Sequence, residues 1–348
     1  MPIPLAPTSG LAPAALAIVA AIGCGSTPAT GEDSGAPPVD VVSSVDTRRS
    51  YDAALDGAPA LKDLPGPPKD TPGAPDAGTY RSSLSVCWTD ATCKRVMAIA
   101  HGGAWDLVNK PYDSNAAIAE AYALGIDGVK IDVRVTKDNV PVISHSSPLE
   151  IYESLDCYNK KIEEMTAAQV VQCHRFPSAT ETFQRLDDVL SYLRGKMVTQ
   201  LCVKLSSDYA RTIAELHAQK AEDFAFIEVD SPGDLQDVIP TIPGSGSVWY
   251  MVNVESNVAA VDTVLGTIKN PRVFMVELDP TVAVATIAST KLHPANVRSF
   301  TYDSSVTASV QQLKALFDGG YDVVSAQTAA NNVQARKLVN QARGISPP

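Results

Sequence analysis

Histidines, lysines, a carboxylate and a thiol are concentrated in a few short segments of this 348-residue chain. His101 follows the apolar run 96–100, and His145 closes the run 140–145. Lys130 and Asp132 stand two apart in the run 128–135, as do Cys202 and Lys204 in the run 198–205. Side chains two apart on a strand point to the same face. If each run is a strand, these segments form one mouth holding two imidazoles, two ammonium groups, a carboxylate and a thiol. Two imidazoles can divide the cleavage of a phosphodiester, one taking a proton from the nucleophile and the other giving one to the leaving oxygen. The lysines would stabilise charge on the phosphoryl oxygens. A single histidine or lysine at a strand end is more often merely solvated; convergence from separate segments is what favours a site.

The elements that must position these residues follow from periodicity. Runs at 96–100, 128–135, 198–205, 224–229, 248–254, 272–278, 297–302 and 321–325 are mostly rich in Val, Ile, Phe or Tyr, as buried parallel strands are. Helical candidates lie between them at 115–124, 182–193, 208–219, 258–268, 307–317 and 329–342. Eight such runs alternating with helices predict an α/β fold, a closed (βα)8 TIM barrel, whose chemistry sits at the C-terminal ends of the strands. An open doubly wound sheet is the alternative, but no Gly-x-Gly-x-x-Gly follows the first run to support a dinucleotide site. The run 140–145 breaks the alternation: Thr136-Lys137-Asp138-Asn139 is too short for a parallel crossover. The second barrel strand is therefore expected to turn into an antiparallel hairpin that returns His145 beside Ile131 and Asp132.

Ahead of the barrel, the apolar stretch 11–23 is too short to span a bilayer comfortably and suits the core of a bacterial export signal. Ala21 and Gly23 stand before Cys24 as in a lipoprotein cleavage box, although no Lys or Arg precedes Leu11. A plain cleaved signal with an incidental cysteine is the alternative. Residues 25–79 are rich in Pro, Gly, Ser, Asp and Ala and lack Phe and Trp, a composition that cannot bury a core and reads as a disordered tether. The expected division is 1–24 signal, 25–79 tether and 80–348 barrel. The protein is accordingly expected to be exported, and either lipid-anchored at the bacterial envelope or cell surface or secreted. A net charge of −11 excludes a general nucleic-acid surface but not a small anionic ligand. In an oxidising compartment Cys87 with Cys93 and Cys157 with Cys173 are the natural disulfide pairs, with all five cysteines after Cys24 free as the alternative. Cys202, inside an apolar run, reads as an unpaired buried thiol.

The segment Ala98-Ile99-Ala100-His101-Gly102-Gly103 resembles the opening His-Arg-Gly motif of the glycerophosphodiester phosphodiesterase family. Pro111-Tyr112-Asp113-Ser114 stands where that family has Pro-Glu-Asn-Thr, and Leu124 to Val133 is similar to its Leu-Gly-Ala-Asp-Gly-Ile-Glu-x-Asp-Val. The turn at 136–139 with the strand ending at His145, the stretch Leu186-Asp187-Asp188-Val189-Leu190, and Cys202-Val203-Lys204 in place of Glu-x-Lys continue the resemblance over about 96–205. It implies catalytic roles for His101 and His145, a substrate-phosphate role for Lys204, and a divalent cation, Mg²⁺ or Ca²⁺, held by three carboxylates. Only Asp132 of those three remains; Lys130 and Cys202 stand at the other two positions, Gly102 replaces the arginine and Tyr112 the glutamate. Hard cations want oxygen ligands, so no metal cofactor is expected.

Three functional readings result. The first is a phosphodiesterase for a phospholipid-derived diester or lysophospholipid, working by hydrolysis or internal transfer without the metal. In it Lys130 supplies the cation's charge, with Asp132 and Cys202 in support. The second is a catalytically inactive barrel kept as a surface binding module. The third is a Zn²⁺ site on His101, His145, Asp132 and Cys202, disfavoured by the ammonium of Lys130. The export reading predicts that the mature chain begins at an acylated Cys24 and partitions with membranes, and that Cys24→Ser releases it. Mass spectrometry showing an unmodified Cys24, or cleavage elsewhere, contradicts it.

Overall fold

The computed structural model describes residues 83–107, 110–267 and 272–345. The expected signal, the tether to residue 79 and Cys24 lie outside them. Nine strands are described: β1 (Met97–His101), β2 (Gly128–Val135), β3 (Pro141–Ile143), β4 (Val198–Val203), β5 (Ala225–Val229), β6 (Trp249–Glu255), β7 (Arg272–Leu278), β8 (Arg298–Asp303) and β9 (Val323–Ala326). The order β1-β9-β8-β7-β6-β5-β4-β2, with β1 also paired to β2, closes a parallel barrel, and β3 is bonded outside the ring. The barrel and its extra strand are thus as the alternation and the short turn predicted. β3 runs antiparallel to β2 with Val133 opposite Ile143 and Val135 opposite Pro141.

The helices are α1 (Asn115–Leu124), α2 (Ala167–Val170), α3 (Leu186–Leu193), α4 (Tyr209–Ala218), α5 (Ala259–Thr267), α6 (Val284–Ile287), α7 (Val310–Asp318) and α8 (Ala329–Ala342). Two match their expected limits, and α1 shows why. The Ser114 hydroxyl accepts from the Ala117 amide at its start, satisfying an amide that the helix itself cannot. The expected helix 182–193 starts later, at Leu186, because 182–185 is extended: Ile143 N–H donates to Gln184 O, and Arg185 bridges to Val142. After β5 the chain makes only irregular helical turns at Asp234–Val238, Ile239–Thr241 and Ser245–Ser247. Pro232, Pro240 and Pro243 each remove a backbone donor there, which limits longer regular helix.

Two cores hold the barrel. One lies between strands and helices. The other fills the barrel interior with Met97, Ile99, Val198, Phe226, Met251, Phe274 and Val323 among others, and the segment before β1 closes it from below with Leu84 and Trp88. That plug is stapled by Cys87–Cys93, and the buried guanidinium of Arg298 donates to the carbonyls of Cys87, Asp90 and Arg95. At the chain's far end Asn340 of α8 bonds both backbone groups of Val96, at 3.0 Å each, tying the last helix to the first strand.

Between β3 and α3 lies an insert with its own small core of Leu149, Ile162, Val170 and Phe183, among others. Cys157–Cys173 closes a 16-residue loop within it. Both disulfides expected from spacing are therefore present. Cys202 is a correction: no described cysteine is free, and its sulfur is engaged in a disulfide rather than carrying a thiol. Burial inside a strand does not distinguish a thiol from a bonded sulfur.

Candidate active site

Backbone geometry brings the site together at the C-terminal ends of β1, β2 and β4. Lys130 pairs in register with His101 on one side, and Asp132 with Cys202 on the other. The side chains of Lys130 and Asp132 do share a face: Lys130 Nζ lies 2.5 Å from Asp132 Oδ1. Lys204, just beyond β4, reaches the same oxygen at 2.7 Å. The second oxygen, Oδ2, accepts from the Tyr112 hydroxyl at 2.9 Å. Asp132 is completely buried and Lys130 is 1% exposed. Burial alone would raise the Asp132 carboxyl, but Lys130 and Lys204, with smaller help from the histidines, hold it well below the usual carboxylate range. Two ammonium groups on one carboxylate leave a net positive charge among these three groups.

Tyr112 is the residue that sequence reasoning missed, since it registered only as the loss of a glutamate. Its hydroxyl meets three groups: Asp132 Oδ2, Lys130 Nζ at 3.1 Å and His101 Nδ1 at 3.1 Å. A hydroxyl has one proton and two lone pairs. The proton goes to the carboxylate, one lone pair takes the ammonium, and the other takes a proton from His101 Nδ1. His101 is therefore the Nδ1–H tautomer, and the lone pair of its ring is on Nε2. Gly102 explains how Tyr112 fits. It has φ +71°, and a Cβ there would stand 2.1 Å from the Tyr112 ring. The missing arginine side chain and the new tyrosine are thus one compensated change.

The other histidine is held by the hairpin and the insert. Arg134 Nε donates to His145 O at 3.0 Å, and the His145 amide donates to Glu153 Oε1 at 3.0 Å. Its Nδ1 lies 3.1 Å from both the Ser146 and Tyr152 hydroxyls, and its buried Nε2 has no partner among the described residues. The Tyr112 ring separates the two imidazoles, edge-on to His145 with centroids 6.0 Å apart. Arg175, from the insert, locks this arrangement by donating to Tyr112 O at 3.1 Å and Ile143 O at 2.7 Å. Tyr302 at the end of β8 stacks on His101 at 4.2 Å.

All six residues expected at the mouth lie within this region, Cys202 without a thiol. A cavity of about 280 Å³ opens beside His101, towards β5–β8, and is lined by Glu228, Glu277, Asn253 and Tyr302 among others. Glu228 and Glu277 were also missed. Each is a lone acid near the C-terminal end of an apolar strand, a signal as readable as that of Asp132.

The architecture, with its polar cluster at the C-terminal mouth, is that of a TIM-barrel protein with an extra strand. The sequence model of the glycerophosphoryl diester phosphodiesterase family matches residues 109–337, and the chain belongs to that family. The match begins after His101. Solved structures with the same fold include a glycerophosphoryl diester phosphodiesterase from Parabacteroides distasonis (16% identity, 72% of this chain and 90% of that one, TM-score 0.59). A Thermotoga maritima glycerophosphodiester phosphodiesterase is similar at 16% identity, covering 68% and 96%, with TM-score 0.53. An Oleispira antarctica phosphodiesterase, solved with the product sn-glycerol-3-phosphate, shares 17% identity over 71% and 99% of the two chains, with TM-score 0.56. No curated protein matches the chain at a significant level.

Both imidazoles are held neutral. Burial, then Lys130, lowers His101 well below its ordinary 6.5, and burial lowers His145 to about 3 against the opposing pull of Asp132. In the unfolded chain each takes up a proton near 6.5, so between that pH and about 3 the unfolded state binds more protons. Stability from this source is full above pH 6.5 and declines as pH falls toward 3, and His145→Asn should flatten the decline. NMR titration of the imidazole protons checks it directly: a His145 that titrates near 6.5 contradicts the buried neutral ring.

Proposed function

We propose that this protein cleaves phosphodiesters of the glycerophosphodiester or lysophospholipid class by two-histidine acid–base chemistry, with Lys130 in the role of a divalent cation. The observation that carries the reading is the occupancy of Asp132. Both its oxygens are engaged, by Lys130, Lys204 and Tyr112. Mg²⁺ or Ca²⁺ takes about six or more oxygen ligands, with one or more free carboxylates to anchor it. The residues here offer the Asp132 carboxylate, already saturated by donors, the buried Asp113 carboxyl beside it, which burial and Asp132 push well above the usual carboxylate range, an ammonium at bonding distance from Asp132, and a sulfur without thiolate character. Among the described residues no group of His, Cys, Asp or Glu suits a metal ion. The donor set therefore does not fit the family's cation, nor Zn²⁺.

The chain's own groups can divide the reaction. Lys130 and Lys204 face the diester anion and neutralise charge growing on its non-bridging oxygens. His101 Nε2, with its lone pair exposed by the Nδ1–H···Tyr112 bond, takes the proton from the attacking hydroxyl. That hydroxyl is water for hydrolysis, or the substrate's neighbouring hydroxyl for internal transfer. Tyr152, a stronger acid than a neutral imidazole N–H, donates to His145 Nδ1 and leaves the proton on Nε2. That N–H has no partner among the described residues and serves the leaving oxygen. A bound anion makes His101 a stronger base and favours protonation of His145, which moves the two rings toward the range where acid–base catalysis is efficient. Export would place this chemistry at the cell envelope or cell surface, where lysophospholipids are found.

Turnover of glycerophosphodiesters and lysophospholipids should survive a chelator and fall on the order of a hundred- to ten-thousand-fold in His101→Ala and in His145→Ala. Lys130→Ala should abolish it as well. Metal-dependent turnover sinks the reading; absence of turnover on any diester, with or without metal, indicates an inactive binding barrel.

A further inference from the structure

The mouth of the barrel has two electrically opposite halves. The β1–β4 side carries Lys130, Lys204 and the imidazoles. The β5–β8 side of the cavity carries Glu228 and Glu277, with Glu255 and Asp279 at its margin. A cluster of acids at a rim is usually solvated, but this one is not. Glu277 is 9% exposed, and its Oε2 is buried with no hydrogen-bond partner among the described residues. Gln200 and Ser325 line the same cavity, and Gln200 Oε1 and Ser325 Oγ are likewise buried and unpartnered. Glu228 has one oxygen held by Gln200 Nε2 at 2.8 Å. Buried acceptors without donors cost stability and mark a place where a donor or a positive charge belongs. Two aromatic rings, Phe300 and Tyr302, stand in the same wall, and Tyr302 reaches His101.

From this juxtaposition we infer that the cavity is a subsite for a cationic alcohol arm of the diester, an ammonium group seated between Glu228, Glu277 and the aromatic wall. The inference deepens the phosphodiesterase reading and rests on it for the placement of the phosphate at Lys130 and Lys204. A phosphate there and an ammonium a few bonds away would span the two halves and match both signs. Carboxylates attract the charge, and aromatic faces suit a methylated or primary ammonium. Among the described residues these acids do not converge as a metal-binding group, so the fit is to an organic cation.

Proton linkage supplies a second signature. Burial, then Glu228 and Glu255, pushes Glu277 well above the usual carboxylate range, with Asp230 acting in the same direction and Lys130 against it. Glu228 is raised too, by burial, against Lys130, Gln200 and Lys204. An arriving ammonium favours the ionised form, so binding should release protons and tighten as pH rises.

The test is calorimetric titration of the full chain with phosphocholine, phosphoethanolamine, the phosphate ester of choline's neutral tert-butyl isostere, and inorganic phosphate. Phosphocholine or phosphoethanolamine should bind roughly tenfold or more tightly than the neutral isostere and, relative to that isostere, shift the buffer dependence of the heat toward proton release. Glu277→Gln, close to isosteric, should erase that preference while inorganic phosphate still binds; Glu228→Gln serves if the first variant does not fold. Equal affinity for the cationic and neutral esters in the unaltered protein overturns the subsite, whatever the variants do. Phosphate binding and turnover without ammonium preference would defeat the subsite alone. Ammonium preference without turnover of glycerophosphocholine or lysophosphatidylcholine would defeat the catalytic reading alone, and comparing these two diesters separates a soluble source from a lipid one.

Discussion

The buried ion pair between Lys130 and Asp132 is the constraint on which the rest of the site depends. A carboxylate with no exposure must be compensated, since an unpaired buried charge costs several kcal/mol. Here the compensation comes from three directions, Lys130, Lys204 and Tyr112, and each is delivered by a different element. Register does most of this. Side chains two apart on β2 face together, and β4 lies alongside β2 so that Lys204 reaches the same oxygen. Removing either ammonium would loosen the carboxylate, and through Tyr112 it would also release His101. The pair therefore fixes the tautomer of a histidine that neither lysine touches.

Tyr112 shows how a family site can be rebuilt without changing its frame. A metal site is an arrangement of anions around a positive centre. In the proposed reading the positive centre is a lysine ammonium, already covalently part of the chain. The tyrosine can enter only because Gly102 has no side chain to meet its ring. Arg175, brought by the insert after β3, then secures the tyrosine's backbone and the hairpin together. The departures from the family pattern are thus mechanically linked. Independent loss of function would give no reason for the replacement side chains to satisfy one another's hydrogen bonds.

Much of this was legible from the sequence, for a physical reason. Buried parallel strands need continuous β-branched and aromatic runs, and the eight barrel strands fall within a few residues of those runs. The hairpin was legible because four residues cannot make a crossover, and the site lysines, aspartate and histidines because they interrupt apolar runs at strand ends. What stayed hidden depends on contacts between distant segments. Tyr112 looked like a loss because its gain is made with Gly102, Lys130 and His101. Arg175 lies in an insert whose fold no periodicity announces. The state of the Cys202 sulfur could not follow from spacing, and Glu228 and Glu277 matter only once closure of the barrel sets them in one wall beside Phe300 and Tyr302.

The claim at the centre of this account is that the protein holds a phosphate ester with its own ammonium groups. The most direct measurement is calorimetric titration of glycerol 3-phosphate, first in a chelator and then with excess Ca²⁺ or Mg²⁺. The account predicts the same affinity in both, accompanied by proton uptake as the anion raises the histidines, and loss of binding in Lys130→Met. Binding that appears only when the cation is added would contradict it.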